Sequence, residues 1–498
     1  MHFACGFELT GSDKRCTVDV LPPELLLEIF LNNTEPTNNW EDKRLTTARY
    51  TSQVCQKWRS LILPSTRIWG RLLSMHSIED ATEDWVEELR SRVGGAKLWI
   101  TGSIQKTSSR SYLISLLKEK WENVQIFHVR IFQPGTLEEL WPILQSKAPT
   151  LEVLRVEIIY HSNAPNSRPL FDDMAPRLRD FHTFAIFSPV APWLYNLQSI
   201  VFGSQHAIMF ILSALKSMPL LRTLEVFTSD TFDHSGTVMH GGDVGATSVY
   251  LPRLTRLCIY QRHFQEVSSL LNHIESPGCD LYVRGMRGLS TGSAIDIQRT
   301  YAAMVKWVSA FIDIHRPKVI EVGTCTYSMR PFISIMVSPE LHYQNPSSDL
   351  ILPLSSRGFS ALRELAACPG LSSIQRLNLT SGPKFWDELL PFYRALSGVT
   401  EIAVDADLHN MQVFQHDGIP HGQIPDFPLL RTLRICALQD FSVSVGSIFD
   451  FLEYRAGVGF PVLLLEFSEY CSDGFTEDQK EYIRQHQVDG LVIKMPPT

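Results

Sequence analysis

The sequence predicts an α/β protein: a small all-helical module at the N-terminus, then a long irregular array in which each unit pairs a strand with a helix. Three observations predict this. Two helical patterns separated by a polar loop occupy residues 17–70. From about Lys97 a leucine-anchored, strand-like motif returns again and again. The stretches between its copies show helical periodicity and usually end at Pro or Gly.

Composition bounds the function. The 498 residues carry 45 Lys+Arg against 53 Asp+Glu, a net charge of −8, with 44% hydrophobic and 20% charged residues. This is a globular composition, too apolar for a disordered chain. Mild acidity argues against a nucleic-acid partner, which requires a concentrated basic face. No membrane association is expected, because apolar stretches such as Tyr301–Ile314 are broken by Lys306 and Asp313 and fall short of the roughly 20 residues a bilayer needs. The start has no basic segment leading into an apolar one, and His2 excludes myristoylation. Nine cysteines without a CxxC pair predict reduced thiols and a cytoplasmic or nuclear location. The sequons at Asn32 and Asn378 are then not glycosylated.

The elements follow in order. Residues 1–16 form a loosely ordered lead. In LPPELLLEIF, the Pro22–Pro23 pair suits a first helical turn, where a missing N–H costs nothing. A helix is expected over Glu24–Leu31, with Leu25, Ile29 and Leu21 along one side and Leu26 and Phe30 along the adjoining one. Asn32–Trp40 reads as a loop. One further helical stretch, RLTTARYTSQVCQKWRSLIL, carries Leu45, Ala48, Val54, Cys55, Trp58, Leu61 and Ile62 mostly at three- and four-residue steps, and Pro64 ends it. Residues 71–96 read as a helical linker packing on the array, with Trp69, Trp85 and Leu89 expected at the junction.

LPPELLLEIF, the loop, VCQKWRSLIL and the later IW together resemble the F-box, and the residues after them resemble F-box proteins of the fungal (basidiomycete-like) type. The insert Asn32–Asp42 is longer than the family's usual loop. The resemblance implies that Leu21, Pro22, Leu25, Ile29 and Phe30, with Val54, Cys55, Trp58 and Leu61, dock on a Skp-family adaptor and through it on a cullin. A segment this short has little core in which to hide so many large side chains, which favours a partner surface for Leu21, Pro22, Leu25 and Phe30. Val54, Trp58 and Leu61 read equally well as the module's own core.

The array spans 97–498. LEVLRVEII at 151, LRDFHTFAIF at 178, LQSIVF at 197, LRTLEVF at 221 and LTRLCIY at 254 begin 19 to 33 residues apart. IQRLNL at 374, VTEIAV at 399, LRTLRI at 430 and VLLLEF at 462 continue the series, and VQIFHVRIF at 124 fits loosely. The spacing is that of leucine-rich repeats, which stack because none can bury its own apolar side. Asn is mostly missing from the position where regular repeats use it, so the array is expected to be irregular. HAIMFILSALKSMP, FQEVSSLLNHIES and VGSIFDFLEYRAG read as its helices. Thr228–Ser248 reads as a long loop. Residues 284–350 are poorly patterned beyond the helix IQRTYAAMVKWVSAFI, and 476–498 read as a C-terminal cap with a helix after Thr476 and a strand in VDGLVIK.

Chemistry is sparse. There is no phosphate loop, GxGxxG or HExxH. Gly288–Gly292 fits G-x-S-x-G around Ser290, and His240–Asp243 faintly resembles an oxyanion loop, but Arg284 and Arg287 stand where a buried strand should enter the turn. His161, His182, His206, His263 and His273 lack ligand sets around them. Trp99, Trp121, Trp141, Trp193, Trp307 and Trp386 read mostly as core. No metal, cofactor or catalytic residue is expected. The F-box resemblance, with this lack of catalytic motifs, implies a non-enzymatic substrate receptor of a cullin–RING ubiquitin ligase whose repeats hold a target protein of unknown identity. The alternative is a repeat scaffold with no ligase role, and a distant third is a serine hydrolase.

Overall fold

The computed structural model describes residues 21–35, 43–158, 169–183, 187–203, 205–227, 248–260, 263–284, 294–324, 331–336, 349–353, 359–380, 386–406, 427–438, 441–468, 477–485 and 488–495. The protein is mixed α/β, its strands mostly parallel, and it divides into two compact units at Trp193/Leu194. No helix among the described residues is long and apolar enough to cross a membrane. The lead 1–16, the Gly288–Gly292 and His240–Asp243 motifs, Thr476 and His161 lie outside the described residues, as does most of Thr228–Ser248.

The first unit opens with helices α1 (Pro23–Asn32), α2 (Arg44–Thr51), α3 (Gln56–Ile62) and α4 (Thr66–Gly70). The expected single helix after the loop is two. Ser52 turns its hydroxyl back to the Arg49 carbonyl, and Cys55 is extended at φ −155°, so helical geometry stops and restarts. The short β1 (Leu73–Ser74) and helices α5 (Met75–Glu79) and α6 (Glu83–Val93) follow. Thr82 caps α6 by accepting from the Trp85 N–H, and Glu83 and Asp84 complement its positive end. Strands β2 (Leu98–Ile104), β3 (Val124–Ile131), β4 (Val153–Ile158) and β5 (Asp180–Thr183) pair in parallel, one after the next, with β1 alongside β2. Helices α7 (Thr107–Lys120) and α8 (Thr136–Leu144) make the crossovers that parallel pairing demands.

In the second unit β6 (Ser199–Phe202), β7 (Thr223–Phe227), β9 (Arg256–Tyr260) and β11 (Asp280–Arg284) continue the parallel pattern, with α9 (Ile208–Leu215) and α10 (Phe264–His273) between. A separate pair, β8 (Val249–Tyr250) and β10 (Ile274–Glu275), lies beside them. The poorly patterned 284–350 breaks the rule. After α11 (Ala294–His315), β12 (Val319–Thr324) runs antiparallel to β13 (Pro331–Met336), and β13 antiparallel to β14 (Asp349–Pro353). β14 then meets β11 through one residue pair, Tyr282 with Ile351. Beyond it β15 (Arg376–Thr380), β16 (Glu401–Ala406), β17 (Thr432–Leu438), β18 (Leu464–Phe467) and β19 (Val492–Lys494) are parallel again, each beside its predecessor and β15 beside β12. Helices α12 (Phe359–Ala366), α13 (Trp386–Ala395), α14 (Phe441–Gly457) and α15 (Glu477–Gln485) intervene.

The leucine motif explains the core. In each instance the first leucine (Leu151, Leu178, Leu197, Leu221, Leu254) and the apolar residue three on (Leu154, Phe181, Ile200, Leu224, Leu257) are buried. Strand alternation then sends the intervening residues to the solvent face. Several strand starts are anchored the same way, one carbonyl of the preceding unit accepting two successive N–H groups. Gln198 O takes Arg222 and Thr223, Arg222 O takes Thr255 and Arg256, and Gln375 O takes Thr400 and Glu401. Trp99, Trp121, Trp141, Trp193 and Trp307 are buried, as expected.

Candidate partner-docking surface

Helix α1 exists because Pro23 can occupy a first turn, Glu24 complements its positive end, and eight residues from Glu24 to Leu31 avoid Gly and Pro. Its two apolar stripes have separate fates. Leu26, Phe30 and Leu31 are buried, whereas Leu25 and Ile29, one turn apart, are 53% and 45% exposed. Pro22 before them is exposed and Leu21 half-buried.

Helix α3 packs beside α1. Phe30 meets Trp58 edge-on with ring centroids 5.1 Å apart, and Lys57 Nζ donates to the Leu21 carbonyl at 3.2 Å. Phe30 therefore corrects the expectation made for it. At 5% exposure it belongs to the module's own core, because the side of α1 that carries Leu26 turns toward α3 and α4. Val54 is 63% exposed, and Cys55, Trp58 and Leu61 are half-buried. Leu25, Ile29 and Val54 are thus large apolar side chains presented to solvent on one small module, with Pro22 beside them. Sequence reasoning passed over Tyr50, 68% exposed one turn before Val54. Its polar neighbours Arg49 and Thr51 gave no apolar stripe to notice.

The module is tied to the strands that follow it. Arg44, only 6% exposed, donates Nη1 to the carbonyls of Thr34 (3.0 Å) and Arg71 (3.2 Å) and Nη2 to the Thr101 hydroxyl on β2 (2.7 Å). Trp69, fully buried, donates Nε1 to the carbonyls of Ile62 and Leu63, which end α3. Arg92 stacks over Trp69 at 4.6 Å, Arg71 over Trp99 at 4.1 Å, and Trp85 meets Trp69 edge-on. Burial pulls the Arg71 guanidinium below its ordinary pKa, against the upward pull of Glu35. Trp69 and Leu89 are both buried, and Trp85 is half-buried against Trp69.

The solvent face of the strands is a second candidate surface. In the first unit Arg130 pairs with Glu157 (2.6 Å) and Arg155 with Asp180 (2.5 Å), while His128 and His182 flank Arg155 on the neighbouring strands. His128, 4.0 Å away, and Arg130 hold the Glu157 carboxyl down to about 2 against the upward pull of burial. Burial pushes the His182 imidazole below its ordinary value. In the second unit Arg376, Glu401, Arg434 and Glu466 form an alternating ladder at 2.9 to 3.1 Å. Phe227 stacks on Tyr260 (4.2 Å, 9°), which leans on Tyr282. Burial also raises the Cys258 thiol to about 11, leaving it an unreactive thiol. Among the described residues no group of three His, Cys, Asp or Glu is placed to hold a metal.

No protein-family model matches the chain, and the comparison with curated proteins finds no match.

Proposed function

We propose that the protein is a substrate-recognition subunit of a cullin–RING ubiquitin ligase, its N-terminal helices acting as an F-box and its strand–helix units as a leucine-rich-repeat-like solenoid that holds a target protein. One observation carries the reading: Leu25, Ile29 and Val54 stand exposed on a module that already has a core in Leu26, Phe30, Leu31 and Ile62. Large apolar groups clustered on a polar-rimmed surface mark a protein contact. Covering them and the half-buried Trp58 and Leu61 contributes a gross stabilisation on the order of 10 kcal/mol, part of which association entropy offsets. Leu21, Pro22 and Cys55 complete the docking face, with Phe30 supporting it from beneath.

The ubiquitin chemistry then belongs to other subunits, and this chain supplies proximity. The Arg44, Trp69 and Arg71 contacts support such a role, since they hold the docking helices firmly on β2. The test is co-expression with a Skp-family adaptor. The wild-type chain should co-purify with it in equal amounts, and Leu25→Asp with Val54→Asp should lose it while keeping the same thermal midpoint. A wild-type chain that purifies without the adaptor overturns the proposal and leaves a repeat scaffold with no ligase role.

A further inference from the structure

We draw no further inference here: the strongest candidate, the half-buried aromatic patch of Phe227, Tyr260 and Tyr282 on the solvent face of β7, β9 and β11, is an apolar sheet face, and nothing in the structure shows what covers it.

Discussion

On α1 Leu25 is 53% exposed and Phe30 only 5%, and that difference sets opposite expectations for them. Leu25→Asp sits in water and should change stability by less than about 0.5 kcal/mol while removing the partner. Phe30→Ala empties a buried site against Trp58 and should cost about 3–5 kcal/mol in chemical denaturation. Arg44→Met would strand the Thr34 and Arg71 carbonyls and the Thr101 hydroxyl, for a loss on the order of 3 kcal/mol. Acid should act in two windows. His182 has a folded pKa below its ordinary 6.5, so the unfolded chain binds the proton first and stability is lost as pH falls below 6.5. Glu157, held at about 2 against an ordinary 4.5, contributes stability above pH 4.5 that is lost as pH falls toward 2. Denaturation midpoints across pH 7 to 3 should show both steps, with His182→Gln removing the upper and Glu157→Gln the lower.

Single elements were legible where one physical rule governs them. Ten leucine-anchored segments became strands because burial on one face imposes a two-residue period that sequence displays directly. Helix α1 was legible from its two prolines. The break at Ser52–Cys55 was not, since it depends on a local hydroxyl contact and on Arg59 reaching back to Ser52 O. Of the nine expected docking residues, Phe30 could not be assigned from spacing alone: a two-stripe helix does not announce which stripe its own core will take. Close approaches are equally silent in sequence. A Cβ on Gly70 would lie 2.5 Å from the Lys97 carbonyl, and one on Gly398 2.0 Å from the Ser372 carbonyl. Neither neighbour can move without its backbone, so Gly70→Ala and Gly398→Ala should each cost about 1–3 kcal/mol, read as a lowered thermal midpoint.

Across the molecule, the order of strand–helix units followed from repetition, and the departure from it at β12–β14 did not. The antiparallel pairs there join segments whose leucine spacing is lost, so no period marks them. Most other neighbouring strands are close in sequence, as β15 and β16 are, but β15 reaches back past β13 and β14 to β12, and β14 must return to β11 across the residues from Arg284 to Asp349 and meets it at one position. Closing that longer loop costs roughly 1 kcal/mol more entropy than closing a single unit. Nearest-neighbour stacks fold by nucleation and propagation, and a zipper moving along the second unit should stall at this seam. Two nuclei, one in β6–β11 and one in β12–β19, would grow separately and fuse last. Pulse-labelled hydrogen exchange should then find β13 and β14 the final amides to gain protection, and pulling the chain end to end should tear it there first.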